Sequence, residues 1–157
     1  MARIEIVPVT RERFDDLFAL VVMLAEYEKL EPPSPAARER LCEDICGKQP
    51  RIEAVLAVDE RGQALGYAIM LETYSSFLAL PTLYLEDIFV REDARHLGAG
   101  SKLFDHVVEQ ARRRGCGRVD WQVLDWNMLA RDFYEHRGAA SMKEWMLYRI
   151  DLAASRG

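Results

Sequence analysis

The stretch EDIFVREDARHLGAGSKLF, Glu86 to Phe104, constrains the fold more than any other part of the chain. It begins as an apolar, strand-like run and passes through a charged segment. It then meets Gly98 and Gly100, and helical apolar spacing starts directly after them. A strand that turns through glycines into a helix exposes bare backbone. Glycine lets a ligand come close, and the free amides and dipole of the helix start favour a phosphate or pyrophosphate. Two common nucleotide loops do not fit. A Walker A loop needs G-x-x-x-x-G-K-[ST], whereas the tail here reads Gly100-Ser101-Lys102. A Rossmann fingerprint needs a third glycine where Leu103 stands. A tight strand–helix turn with no ligand is the alternative for a lone G-x-G.

The flanking pattern extends this unit into an α/β (α+β) order. RIEIVPV (Arg3 to Val9) alternates as a strand, and Thr10 can cap the helix that follows. EPPSP breaks that helix. A second helix fits Ala36 to Cys46, with Ser34 as cap and Pro35 at its first position. Ile52 to Ser75 reads as two strands around Glu60-Arg61-Gly62, and Thr82 to Val90 as a third. After the glycine loop come a helix ending at Gly115, a strand over Arg118 to Leu124, a helix over Met128 to Ala139 and a last strand over Glu144 to Leu152. Hairpins followed by strand–helix–strand imply a mixed, mostly antiparallel central sheet with helices on both faces.

The 157 residues suit a single domain over 1–157. A net charge of -5 disfavours nucleic acid. The longest apolar run, Leu17 to Ala25, falls short of the roughly 20 residues that span a membrane. The N-terminus lacks the apolar core of a signal peptide, and three cysteines make no disulfide framework. The expectation is a cytoplasmic protein with no membrane or metal partner. Cys42 and Cys46 are expected to be buried structural thiols.

Several motifs together carry a resemblance. They are R-x-x-G-x-G-S after LYLEDIFV, then Asp125-Trp126-Asn127, then F-Y-x-x-R-G-A from Phe133 to Ala139, and a terminal W-x-L-Y-x-I-D from Trp145 to Asp151. With AxYE at Ala25 to Glu28, the chain resembles the GNAT superfamily of acetyl-CoA-dependent N-acetyltransferases. Within it the chain is similar to the diamine (spermidine/spermine) and thialysine acetyltransferases. Two features depart from that branch: His96 stands where glycine is usual, and the segment from Gly138 to Trp145 is short.

The resemblance implies direct acetyl transfer from acetyl-CoA to a primary amine of a small cationic acceptor. Tyr134 is the implied general acid for the coenzyme sulfur, and Glu86 binds the amine or relays its proton. Arg95, His96, Leu97, Gly98, Ala99, Gly100 and Ser101 are the implied pyrophosphate loop. Ile88, Phe89 and Val90 are implied along the pantetheine arm, Ala130 is implied as a further coenzyme contact, and Asn127 either bonds the coenzyme or caps a helix. Tyr27, Glu28, Asp120, Gln122 and Glu144 join Glu86 as acceptor-side residues. Consecutive strand residues face opposite sides, so Glu86 and Asp87 share a pocket only if the strand bulges. Asp87 is expected to be structural and paired with an arginine. The resemblance further implies a homodimer built on the C-terminal part of the chain. An aminoglycoside or protein N-terminus as acceptor, and a non-catalytic acyl-CoA sensor, are the rival readings.

Overall fold

The computed structural model describes residues 3–153. They fall into two compact units divided between Gln122 and Val123.

The first unit is built on a five-stranded sheet of order β1-β2-β3-β4-β5. The strands are β1 (Glu5–Pro8), β2 (Glu53–Val58), β3 (Ala64–Ser75), β4 (Leu80–Val90) and β5 (Arg118–Trp121). The first four pair antiparallel and β4–β5 pair parallel, so the sheet is mixed and mostly antiparallel. Helix α1 (Phe14–Tyr27) and helix α2 (Pro35–Cys46) follow β1, and α3 (Ala99–Arg113) joins β4 to β5.

The apolar runs of β2 and β3 show no simple alternation because both faces of these strands are covered. Ala54, Leu56 and Val58 pack with Phe14, Leu17 and Leu20 of α1 and with Ile45 of α2. The alternate residues Val55 and Ala57 take the other face, where α3 lies against β2, β3 and β4. Leu103 and Val107 of α3 are fully buried there. Burying each of these aliphatic side chains is worth about 1.5–3 kcal/mol.

Ser34 caps α2 as the sequence implies, its hydroxyl accepting from the Ala37 amide at 3.1 Å. Three expectations change. Thr10 makes no side-chain cap; a short 3-10 turn, Arg11–Arg13, comes before α1 instead. Cys42 and Cys46 are only half-buried at the edge of the α1 cluster, and the Cys46 thiol donates to the Val9 carbonyl oxygen at 3.8 Å.

The third change is in the second unit, which holds α4 (Met128–His136) but no strand over Glu144 to Leu152 among the described residues. A strand exists only as part of a ladder, and that segment has no ladder partner here. Trp145, Met146, Leu147, Tyr148 and Ile150 are exposed. No helix among the described residues is long and apolar enough to cross a membrane.

Candidate active site

The site grows from the way β4 parts from β5. The two strands pair only from Thr82↔Arg118 to Leu85↔Trp121. Beyond Leu85, β4 remains bonded to β3 as far as Gly66↔Val90. The other edge of β4, over Glu86 to Val90, therefore has no strand partner among the described residues. Backbone donors and acceptors demand partners, so an open inner edge of this kind can bind an extended, amide-bearing ligand. Ile88, Phe89 and Val90, the expected pantetheine residues, lie on this edge.

The edge leads into the glycine loop. Gly98, at φ 91°, is the N-cap of α3 and gives it no side-chain cap, unlike Ser34 on α2. The chain reaches Gly98 through His96, which holds φ 78° despite its side chain. Left-handed backbone at a non-glycine residue is strained. Gly100 differs, because its backbone is helical and a Cβ there would meet only the Val90 side chain, at 3.6 Å. Neither the fold nor the backbone requires glycine at 100, and the missing side chain leaves room for a ligand to approach the backbone there. Gly100→Val should therefore fold and yet lose at least tenfold in coenzyme A affinity. Calorimetric titration checks this, and wild-type affinity in a folded variant would refute it.

Glu86 falls at a bulge. Ile69 pairs with Asp87 and Met70 with Leu85, so Glu86 is the extra residue of β4. Asp87 and Phe89 thereby share the α1 face with Tyr67 and Ile69. Asp87 and Tyr84 are both pushed up chiefly by burial, and the charge of the bulge residue Glu86 adds to each shift. The condition for two neighbouring carboxylates to share one pocket is met.

The expected arginine partner of Asp87 is not found. The Tyr67 hydroxyl donates to Asp87 Oδ2 at 3.0 Å. Burial, followed by the Asp87 charge, pushes the Tyr67 phenol well above its ordinary value, so it stays protonated as the donor. Burial raises Asp87 to about 6, the negative charges of Glu86 and Glu28 add to this, and the Tyr67 bond opposes it. Glu28 caps the C-terminus of α1, and partial burial pushes its carboxyl up as well.

Asp120 pairs with Tyr84 across the β4–β5 ladder. Burial, then the Glu86 charge, pushes the Tyr84 phenol up; nearby Gln122 opposes this and the Asp120 charge adds to it. In the first unit Glu28 and Glu86 thus lie within electrostatic reach of Asp87, and Glu86 and Asp120 within reach of Tyr84. Sequence reasoning missed Tyr67 as the partner of Asp87 because a tyrosine in an apolar strand reads as core until its hydroxyl partner is seen. Among the described residues no group of His, Cys, Asp and Glu gathers as a metal site.

In the second unit, Tyr134 lies on α4, half-buried, its ring edge-on to Phe133 at 5.7 Å. Asn127 caps α4, its side-chain oxygen accepting from the Ala130 amide at 3.2 Å. The cap reading of Asn127 therefore holds, and the Ala130 amide is already engaged. Glu144 is exposed.

An open strand edge that runs into a glycine-led helix start with no side-chain cap suits an extended ligand that ends in an anionic group. The chain belongs to the acetyltransferase (GNAT) family, which it matches over residues 17–139, and it is an N-acetyltransferase. It is 33% identical to the thialysine N-epsilon-acetyltransferase of Bos taurus, a match covering 90% of this chain and 88% of that protein. It is 47% identical over 85 residues to an L-ornithine N5-acetyltransferase of Arabidopsis thaliana, covering 54% of this chain and 37% of that one. The crystal structure of a probable acetyltransferase superposes with a TM-score of 0.81 at 26% identity, over 94% of this chain and 97% of that one.

Proposed function

We propose that the chain transfers acetyl from acetyl-CoA directly to the primary amine of a small cationic acceptor. The acceptor class is a diamine, a polyamine or a lysine-like amino acid. The observation that carries this reading is the bulge at Glu86, which sets carboxylates beside the open edge of β4. Relatives named for acetylating thialysine and L-ornithine support the same acceptor class.

In this reading the amides of Ile88 to Val90 bind the pantetheine arm and the thioester oxygen, and the Arg95–Ser101 loop binds the pyrophosphate. An alkyl ammonium has a pKa of about 10.4 and must lose a proton before it attacks. Glu86 takes that proton, directly or through water, and Glu28 holds a second positive end. The neutral amine attacks the thioester carbon. The C–S bond breaks, Tyr134 donates its hydroxyl proton to the departing thiolate, and the excess proton on the acceptor nitrogen passes to solvent, which reprotonates Tyr134. In this reading residues 1–157 serve one acetyltransferase activity in the cytoplasm, where Cys42, Cys46 and Cys116 stay as free thiols.

The decisive measurement is thiol release from acetyl-CoA against a panel of diamines, polyamines, lysine-like amino acids, aminoglycosides and peptides. Diamines or lysine-like amino acids should give the highest kcat/KM. A neutral or acidic best acceptor would remove the carboxylate reading. Binding of acetyl-CoA with no release against any amine would favour a sensor.

We also propose a homodimer, supported by the exposed apolar run from Trp145 to Ile150, a surface suited to a second copy. Light scattering should give about twice the 18.1 kDa chain mass at micromolar concentration. A monomer mass would exclude it.

A further inference from the structure

Arg95 opens the glycine loop, and its guanidinium is already held in place. It stacks over the ring of Tyr27, 5.3 Å from the centroid. Its Nε also donates to the Val90 carbonyl oxygen at 3.4 Å. Both side chains are half-buried. A cation within about 6 Å of a ring centroid is attracted by the negative face of the ring, and partial desolvation strengthens this. Tyr27 is the last residue of α1, so the stack ties the end of that helix to the loop after β4.

We infer that Tyr27 is a positioning residue for coenzyme binding, acting through Arg95. The inference rests on the proposed coenzyme site. It departs from the role that the family resemblance implies for Tyr27, which is contact with the acceptor. Arginine is long and loses much rotamer freedom when it grips a phosphate; holding the guanidinium beforehand lowers that loss. The Val90 bond alone fixes one nitrogen, whereas the aromatic face fixes the plane of the group, which a planar fork needs to meet phosphate oxygens. The ring face that Arg95 covers is also a poor seat for a cationic acceptor, because two positive groups would compete for it.

The test is calorimetric titration of coenzyme A, which reports binding with no turnover. The proteins are wild type, Tyr27→Phe, Tyr27→Leu, Tyr27→Met, Arg95→Ala and the double variant Tyr27→Leu/Arg95→Ala. Tyr27→Phe keeps the ring and should bind as wild type. Tyr27→Leu should bind roughly 3–30-fold more weakly, the range expected for losing one partly desolvated cation–π contact. Tyr27→Met keeps more bulk without a π face and should match it, which covers a poorly folding Leu variant. In the Arg95→Ala background, Tyr27→Leu should cost nothing further. A merely structural tyrosine would cost the same in both backgrounds, and that result overturns the inference. So does wild-type affinity in folded Tyr27→Leu or Tyr27→Met. If wild type itself binds no coenzyme A, the proposed function fails, and this inference fails with it.

Discussion

Replacing Tyr134 by phenylalanine should slow acetyl transfer by roughly 10²–10⁴-fold while leaving coenzyme A affinity within about twofold of wild type. The phenol supplies a proton to a thiolate that otherwise leaves charged, and phenylalanine removes the hydroxyl that carries it. The ring remains, so its edge-on packing with Phe133 and the helix α4 around it should persist. Single-turnover experiments at saturating acetyl-CoA isolate the chemical step from product release. Thermal unfolding in parallel separates loss of chemistry from loss of fold. An unchanged single-turnover rate would take Tyr134 out of the mechanism. A fall in rate matched by a fall in coenzyme affinity would make it a binding residue instead.

The parts of this fold that could be read from the chain are those fixed by local chemistry. Ser34 followed by Pro35 defines the start of α2, because a hydroxyl cap and a preset φ act within one turn. Gly98 ahead of α3 was legible for the same reason. Where partners lie far apart in sequence, the reading failed or stayed open. Glu86 and Asp87 are adjacent, yet whether they share a face depends on a bulge set by register against Ile69 and Met70. The partner of Asp87 is Tyr67, 20 residues away, and nothing in LGYAIM marks that tyrosine as a donor. The apolar run in Glu144 to Leu152 suits a strand, but composition states only that such a segment would be buried. It cannot supply the ladder, and none forms among the described residues.

The bulge makes Glu86 and Asp87 experimentally separable. Glu86→Gln should lower kcat/KM for a diamine by about 10²-fold or more near neutral pH, since it removes both an attraction for the ammonium and a proton acceptor. The defect should shrink as pH approaches the pKa of the amine, where more acceptor arrives already neutral.

Asp87→Asn should act chiefly on stability. The Asp87 carboxyl lies at about 6 in the folded protein against an ordinary value of 3.8. The folded state therefore holds this proton more tightly than the unfolded state does. Its contribution is fully present below about pH 4 and is lost as pH rises through about 6, on the order of 3 kcal/mol across that window. Asparagine carries no charge to bury, and its side-chain oxygen can still accept from Tyr67. Asp87→Asn should thus unfold at a higher temperature than wild type at pH 7.5, by several degrees, and show no such gain at pH 4. Removing the neighbouring charge by Glu86→Gln should lower the Asp87 pKa and recover part of the same gain. Scanning calorimetry of both variants at the two pH values, alongside the amine kinetics, tests the pair. Full activity in Glu86→Gln at neutral pH would end its role as proton acceptor. An Asp87→Asn protein no more stable than wild type at pH 7.5 would mean that Asp87 is not the strained carboxylate of this site.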